Sequence, residues 1–214
     1  MNMDRRLALG SLLVLAGGIA YAADQTVLGK SILVKNPSTP DKRKITIQGK
    51  EKTSNDSIVG NPTVSGATLK VSVDGGSPSS QTFNLPQGLA ANGKPFWSGD
   101  ATKGYKYKDS LGVNGAVKIA QIKKTPAGVF QVKATIMGKI GALSVVPPNP
   151  GNDSCSLLKI GGGDSYSVAI GAPTGALVSN NGAVQFKAKN PTSEASCYGS
   201  PSFAFVEPVL GILD

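Results

Sequence analysis

Three short motifs in the sequence carry chemistry in other proteins, but each lacks an essential part. Gly163-Asp164-Ser165 has the order of a serine-esterase nucleophile block, yet such a serine needs a histidine base and the chain contains no histidine. Ser156 and Lys159 have Ser-x-x-Lys spacing, which works on one face of a helix, whereas the apolar residues around them predict a strand. Residues 88–94 have the spacing of a phosphate-binding loop, but Pro95 replaces the magnesium-binding hydroxyl. We therefore predict that the protein is not an enzyme.

Paired carboxylates for glycoside hydrolysis and oxygen ligands for a cation remain as alternatives, although no spacing selects them. Zinc and copper sites lose their commonest ligand because histidine is absent. Asp109 with Asn114, and Asn152 with Asp153, offer hard oxygen atoms to calcium, but the same residues stabilise turns without a metal. We predict no cofactor and no metal, and a two-carboxylate hydrolase is the least favoured function. The candidate acids are Glu51, Glu194, Glu207, Asp56, Asp74, Asp109, Asp153 and Asp164.

Aromatic residues interleaved with lysines form the candidate ligand-binding site. Trp97 is the only tryptophan, and Tyr105 and Tyr107 alternate with Lys106 and Lys108. Aromatic rings stack on sugars, and the lysines can meet acidic groups. If the tyrosines point inward instead, they belong to the core and the stacking site disappears. The sequence leaves both interpretations open.

The positive charge of the chain is carried almost entirely by lysine. There are 22 basic and 13 acidic residues, a formal net charge of +9, and Arg43 is the single arginine after residue 22. A basic surface attracts polyanionic or carbohydrate surface components. Recognition of phosphate in a fixed geometry favours arginine, so we predict no specific nucleic acid partner. Lysines spread over strands also keep a sheet soluble and protect its edges, which is the alternative interpretation.

Residues 1–22 have the features of an export signal peptide. Two arginines precede an apolar stretch, residues 7–19, and Ala20-Tyr21-Ala22 provides a small-x-small cleavage site. The apolar stretch is too short to span a bilayer, which takes about 20 residues. We expect cleavage near Ala22, a mature chain that starts at Ala23 or Asp24, and no transmembrane segment after cleavage. The predicted location is secreted or periplasmic.

Cys155 and Cys197 are the two cysteines of the chain. In an exported protein, such a pair indicates one disulfide. The bridge would close a loop of roughly 40 residues and contribute about 3–4 kcal/mol by restricting the unfolded chain. Residues 161–167 lie inside this loop, and their glycines predict a tight turn between two strands.

Short alternating apolar runs predict an all-β fold with about a dozen short strands and one disulfide. We expect a single β-sandwich, immunoglobulin-like or jelly-roll-like, over residues 23–214, and the 27 glycines and 14 prolines suit its turns. The proline-rich residues 147–153 are either a domain boundary or a crossover, and we prefer the crossover because the roughly 60 residues that follow would form a very small core. The predicted strands centre on residues 27–34, 44–52, 69–73, 81–85, 105–107, 117–122, 130–136, 143–146, 157–160, 166–170, 184–186 and 203–206.

Most of the mature chain resembles a recurrent β-rich module of exported proteins from environmental bacteria. The resemblance lies in residues 28–37, Leu-Gly-Lys-Ser-Ile-Leu-Val-Lys-Asn-Pro, which continue with Asp41-Lys42-Arg43-Lys44. Residues 146–151 and 161–166 are similar to later blocks of the same module. The resemblance implies export and a β-rich fold. The module has no established activity, so no functional residue is carried over from it.

We predict an exported, non-enzymatic protein with a structural or adhesive role at the cell envelope or outside the cell, acting through a lysine-rich surface. The alternative is a carbohydrate-binding module that uses Trp97 and the nearby tyrosines. The exposure of these side chains separates the two functions. A sugar-stacking platform must face solvent, whereas a buried Trp97 would remove it.

Overall fold

Thirteen strands dominate the part of the chain described by the computed structural model, residues 22–74 and 79–198. The helical elements in these ranges are one short α-helix, α1 (Pro62–Ser65), and two single 3-10 turns, Pro40–Lys42 and Ala172–Thr174. The strands are β1 (Asp24–Thr26), β2 (Gly29–Lys35), β3 (Lys44–Glu51), β4 (Ala67–Asp74), β5 (Ser79–Leu85), β6 (Trp97–Asp100), β7 (Gly104–Lys108), β8 (Val117–Lys124), β9 (Phe130–Met137), β10 (Asp153–Ile160), β11 (Ser165–Ala169), β12 (Leu177–Gly182) and β13 (Gln185–Lys189).

The strands form two sheets. One sheet has five strands in the order β1-β11-β10-β4-β5, and the other has eight in the order β12-β13-β2-β3-β9-β8-β7-β6. The short strand β1 pairs with β11 in parallel, while every other pair between these strands is antiparallel. Antiparallel pairs need only short turns between consecutive strands, which agrees with the glycine and proline content.

The apolar sides of the two sheets meet in one hydrophobic core. In β9, Phe130, Val132, Ala134 and Ile136 point inward and are buried, because side chains alternate between the two sides of a strand. Phe130 also packs against Tyr166 of β11, with ring centroids 5.5 Å apart, and so joins the sheets. The predicted all-β sandwich with about a dozen strands is confirmed. With thirteen strands in its two sheets, the sandwich has more strands than a jelly roll, which has roughly eight, or an immunoglobulin domain, which has roughly seven to nine.

Most of the predicted strands are confirmed, but residues 143–146 are not a strand. This segment runs beside β5 and bonds to its side chains instead of its backbone. The Val146 nitrogen donates to Ser79 Oγ at 3.0 Å, and the Ser144 nitrogen donates to Gln81 Oε1 at 2.9 Å. The segment therefore covers the sheet edge without joining the ladder. Three further strands, β1, β6 and β12, were not predicted, because each is short or rich in glycine, asparagine and serine.

The connection between β9 and β10 passes from the eight-stranded sheet to the five-stranded sheet. It contains residues 147–152, and buried residues before and after it belong to the same core. The predicted signal segment up to residue 21, the predicted strand 203–206 and Glu207 lie outside the described residues.

The predicted disulfide joins Cys155 in β10 to Cys197. The two Cα atoms are 5.7 Å apart, and both cysteines are fully buried. Residues 161–164 form the predicted turn between β10 and β11, where Gly162 has a φ of 67°, a left-handed conformation that favours glycine. The apolar residues that follow the turn enter the core and are Tyr166, Val168 and Ile170.

Candidate functional site: a lysine face on the eight-stranded sheet

The predicted aromatic site is buried. Trp97 in β6 and Tyr105 and Tyr107 in β7 face the core and are at most 4% exposed. The Trp97 indole Nε1 donates a hydrogen bond to the carbonyl oxygen of Leu85 at 3.0 Å, and its ring centroid lies 5.3 Å from that of Tyr107. A stacking platform must reach solvent, which these rings do not. The structure therefore corrects the stacking interpretation and places these residues in the core.

Lys106 and Lys108 point the opposite way, into solvent, on the outer side of the eight-stranded sheet. The strands of this sheet contain twelve lysines and only two carboxylates, Glu51 and Asp100, which are the last residues of β3 and β6. The strands of the other sheet contain two lysines and three aspartates. The basic charge of the strands is thus concentrated on one sheet. The twelve lysines are Lys30, Lys35, Lys44, Lys50, Lys106, Lys108, Lys118, Lys123, Lys124, Lys133, Lys187 and Lys189.

The outward side of β13, β2, β3, β9, β8 and β7 is called the lysine face below. Strand register arranges its side chains in rows that cross the sheet. Neighbouring strands lie about 4.8 Å apart, so each row extends about 24 Å, with lysines about 10–14 Å apart along the row that begins at Lys106. That row contains Lys106, Gln121, Lys133, Gln48, Ser31 and Lys189. The next row contains Lys108, Ile119, Thr135, Thr46, Leu33 and Lys187.

Most side chains between the lysines are neutral hydrogen-bonding groups. Gln121 and Gln48 can donate to and accept from hydroxyl groups, as can the threonines of the next row. Lysines at this spacing cannot converge on one small anion, but a polymer with repeated negative charge can contact several of them. The two rows carry no aromatic ring, so the base stacking that single-stranded nucleic acid uses is missing from them.

The lysine face ends in a cleft beside β6 and β7. The cleft has a volume of about 680 Å³ and lies between residues 90–96 and 109–113. Lys94 lines it together with Lys106 and Lys108. Leu111 and Val113 add apolar surface at its rim and are 78% and 62% exposed. The cleft therefore offers both cationic and apolar contacts at one end of the face.

Asp109 fixes the loop that forms one wall of this cleft. Its buried carboxylate accepts hydrogen bonds from the backbone nitrogens of Val113 at 3.1 Å and Asn114 at 2.7 Å. The Asn114 side chain in turn donates to the Tyr107 hydroxyl at 3.2 Å. These hydrogen bonds are the ones expected if Asp109 and Asn114 stabilise a turn without calcium. In residues 22–74 and 79–198, no group of three or more acidic, cysteine or histidine side chains has the arrangement of a metal site.

The remaining sequence motifs make structural contacts. Ser156 is buried within β10, while Lys159 on the same strand is partly exposed. Ser165 Oγ donates to Asp24 Oδ1 at 3.1 Å, so it is used to hold β1. Residues 88–94 close a turn, in which the Ala90 nitrogen donates to the Lys94 carbonyl oxygen at 2.8 Å. None of these contacts positions a nucleophile or a phosphate loop ahead of a helix.

Three carboxylates, two of them close in sequence and one distant, line a second cavity of about 650 Å³. Glu51 ends β3, Asp56 lies in the loop that follows, and Glu194 lies near the end of the described chain. Glu51 Oε1 accepts from the Leu28 nitrogen at 2.9 Å, and Glu194 Oε2 accepts from the Thr26 hydroxyl at 2.8 Å. Asp56 Oδ2 is buried and has no hydrogen-bond partner among the described residues.

Burial raises the pKa of Asp56 to about 6, and the neighbouring charge of Glu51 adds to the effect. The Lys124 ammonium donates to the Asp56 carbonyl oxygen at 2.7 Å. Glycoside hydrolysis needs carboxyl groups about 5–10 Å apart, with substrate or water between them. Glu51 is instead bonded to the Leu28 backbone and Glu194 to the Thr26 hydroxyl, so two of the three acids make structural contacts. This arrangement fits a hydrolytic pair poorly.

Replacing Asp56 by asparagine is expected to stabilise the protein above pH 6 and to change little near pH 4. The pKa of Asp56 is higher in the folded chain than its ordinary value of 3.8. Its favourable contribution is therefore complete below pH 4 and is lost as the pH rises through about 6. The side chain is partly exposed, so the gain in unfolding free energy at pH 8 is on the order of 1 kcal/mol.

Urea unfolding of the two proteins from pH 4 to pH 8 measures this effect. Asp41→Asn, which removes the same charge at an exposed turn, is the matched control. A difference between wild type and Asp56→Asn that does not vary with pH would contradict the raised pKa of Asp56.

Comparison with protein-family models, curated proteins and solved structures finds no match for this chain. In the described ranges, no helix has both the length and the apolar character needed to cross a membrane. Function is therefore inferred from the arrangement of side chains, and first of all from the lysine face. In the sequence, the lysine face is visible only as the alternation of lysine with apolar residues in single strands. This alternation does not predict the order in which the strands pair.

Proposed function

We propose that the protein is exported and binds an acidic polysaccharide through the lysine face, in a structural or adhesive role at the cell envelope or outside the cell. The observation that carries the proposal is the separation of charge between the sheets. The strands of one sheet hold twelve lysines, and their two carboxylates lie at strand ends. Of these lysines, Lys124 pairs with the buried Phe130 and bonds to Asp56, so it is not part of the lysine face. A face of one sign attracts a polymer of the opposite sign along its whole length.

An acidic polysaccharide suits this face better than other polyanions. Gln121, Gln48 and Thr135 stand between lysines and can bond sugar hydroxyls. Nucleic acid and phosphate recognition favour arginine forks and exposed aromatic rings, and the two rows of the face contain neither. The signal-like residues 1–22 and the disulfide support a location outside the cytoplasm, where such polymers occur.

Replacing one row of lysines is expected to weaken binding to an acidic polyuronate about tenfold or more at low salt, near 50 mM. The variant is Lys106→Gln/Lys133→Gln/Lys189→Gln, which leaves the sheet intact because all three side chains point into solvent. Binding of the processed protein to the immobilised polymer at several salt concentrations measures the affinity. The dependence of affinity on salt should also become shallower, by about one unit of slope for each lysine that no longer meets the polymer.

The matched control is Lys42→Gln/Lys52→Gln/Lys139→Gln, which removes the same charge from exposed loop positions. We expect it to weaken binding less than about threefold. Equal losses in the two triple variants would mean that net charge alone drives binding, and would overturn the lysine face as the site. Absence of binding by the wild type, equal binding to a neutral polysaccharide, or stronger binding to DNA would each overturn the proposed ligand.

A further inference from the structure

Asp164 is a fully buried carboxylate whose partners in the described part of the chain are all neutral. Its Oδ1 atom accepts a hydrogen bond from the backbone nitrogen of Ala23 at 2.9 Å. Its Oδ2 atom accepts from the Val59 nitrogen at 2.6 Å and from the hydroxyls of Tyr166 at 3.3 Å and Ser57 at 3.4 Å. Aspartate is rarely buried completely unless a positive charge compensates it. These contacts contain no such charge.

The nitrogen of Ala23 is the one partner that can become a cation. Ala23 directly follows Ala20-Tyr21-Ala22, the predicted signal-peptide cleavage site. In the uncleaved chain this nitrogen is a neutral amide. Hydrolysis of the bond between Ala22 and Ala23 converts it to an α-ammonium group, which carries a full positive charge at neutral pH.

We propose that export processing between Ala22 and Ala23 creates the cation that the buried Asp164 carboxylate lacks, and that the resulting ion pair locks β1 onto the five-stranded sheet. The proposal rests on the export step of the proposed function. A signal peptidase is the catalyst and water the co-reactant. The carbon–nitrogen bond breaks, and water adds its hydroxyl to the carbonyl carbon of Ala22 and its proton to the nitrogen of Ala23. The new carboxyl group then gives up its proton, and the amine takes one up.

The surroundings of Ala23 are already arranged for this ion pair. The Ser165 nitrogen donates to the Ala23 carbonyl oxygen at 2.9 Å, which fixes the residue and aims its nitrogen at Asp164. Ala22 and Ala23 are exposed, so the remaining hydrogens of an ammonium group can bond to water. A charge-assisted hydrogen bond of this kind is roughly twice as strong as a neutral one.

Asp164 also ties together three parts of the fold. It lies in the turn between β10 and β11, bonds to Ala23 ahead of β1, and accepts from Val59 in the long loop after β3. The ion pair would therefore stabilise all three at once. A precursor without it would be easier to unfold, which suits a chain that must remain unfolded until it has crossed the membrane.

The test compares the processed protein, which begins at Ala23, with a chain that carries Gly-Ser in front of Ala23 and so keeps the amide. At pH 6 the processed protein is expected to melt about 5 °C higher. The ordinary pKa of an α-amino group is about 7.7–8.0, and the ion pair raises it in the folded protein. The advantage is therefore complete below pH 7 and disappears as the pH rises through the higher folded value.

Other titratable groups near the Ala23 nitrogen also contribute to the pH dependence of the melting temperature. Asp164 and Tyr166 face it from the β10–β11 hairpin, Asp24 lies on its own strand, and Asp56 lies in the loop that packs beside Tyr166. The Gly-Ser chain keeps all of these groups. The difference in melting temperature between the two chains therefore isolates the α-ammonium.

Asp164→Asn is expected to reduce the difference between the two N-terminal forms to less than about 1 °C. Asp24→Asn is the matched control, because Asp24 is an adjacent carboxylate that bonds serine hydroxyls, and it should preserve the difference. If Asp164→Asn does not fold, acetylation of the Ala23 α-amine in the wild type removes the positive partner of the ion pair instead. The acetylated protein should then melt at the same temperature as the Gly-Ser chain.

Equal melting temperatures of the processed and Gly-Ser chains would overturn the proposal. So would mass spectrometry of the exported full chain that shows a first residue other than Ala23. Binding to the acidic polyuronate, measured on the same two samples, is expected to be equal because the lysine face lies on the other sheet. A loss of polymer binding and a loss of the melting difference are thus separate results.

Discussion

Trp97→Ala is expected to lower the free energy of unfolding by about 3–5 kcal/mol, and the melting temperature by about 10 °C, without a specific effect on polysaccharide binding. Trp97 is among the largest fully buried side chains of the described residues. Its ring packs on Tyr107, and its Nε1 satisfies the carbonyl oxygen of Leu85. Truncation leaves a cavity next to β7 and an unpaired carbonyl group, and both effects destabilise the fold.

Thermal unfolding followed by circular dichroism measures this effect. Lys106→Ala is the matched control, because it lies on the same hairpin with its side chain in solvent, and it should cost less than about 0.5 kcal/mol. Trp97 is the only tryptophan, so its fluorescence should also be protected from a soluble quencher in the folded protein. A Trp97→Ala protein that keeps its melting temperature but loses sugar binding would reinstate the stacking site.

The two interpretations of β7 show what strand periodicity can and cannot predict. Alternation of tyrosine and lysine from Tyr105 to Lys108 predicts a strand with two different sides, and this is confirmed. The alternation of side chains does not predict which side of the strand packs on the core, because tyrosine and tryptophan suit both a core and a binding surface. The neighbouring strand decides the matter. The Trp97 ring packs against Tyr107 on the inner side, an interaction that depends on the pairing of β6 with β7.

The lysine face depends on strand order, which local patterns do not encode. Each strand shows its lysines in the sequence, but Lys106 and Lys189 share a row only because four other strands separate β7 from β13 in a particular register. A slip of one residue in β9, for example, would send Lys133 to the core side. The sequence could therefore predict a lysine-rich surface, but not that its charge would gather on one sheet.

The grouping of the carboxylates was not predicted, for a related reason. Glu51, Asp56 and Glu194 come together only when the last part of the described chain returns to the loop after β3. Asp164 was recognised as part of a turn, and the turn is confirmed. Its hydrogen bond with Ala23 joins residues 141 positions apart, and no local sequence pattern predicts such a contact. Only an aspartate directly after three glycines indicated that this turn contains a charge.

Removing the disulfide is expected to lower the free energy of unfolding by about 4 kcal/mol, the second large effect. Cys155 and Cys197 are 42 positions apart, and a cross-link of this span restricts the unfolded chain by about that amount. The variant Cys155→Ala/Cys197→Ala should melt about 10 °C lower than the wild type. Reduced wild type is the matched control, since it should melt with the variant, and added reductant should leave the variant unchanged.

Removal of the disulfide should reduce local stability most in residues 193–197 and in β1, where only weak contacts remain to hold the chain. Residues 193–197 lie against β1 through exposed hydrogen bonds, in which Ser196 Oγ donates to Asp24 Oδ2 and the Thr26 hydroxyl donates to Glu194 Oε2, both at 2.8 Å. Such contacts are weak unless the segment is held in place, because water competes for them. Strand β1 has only three residues and pairs with β11 on one side alone. Amide hydrogen exchange in β1 is therefore expected to accelerate in the variant far more than exchange in β9, and equal acceleration in the two strands would contradict this local role of the disulfide.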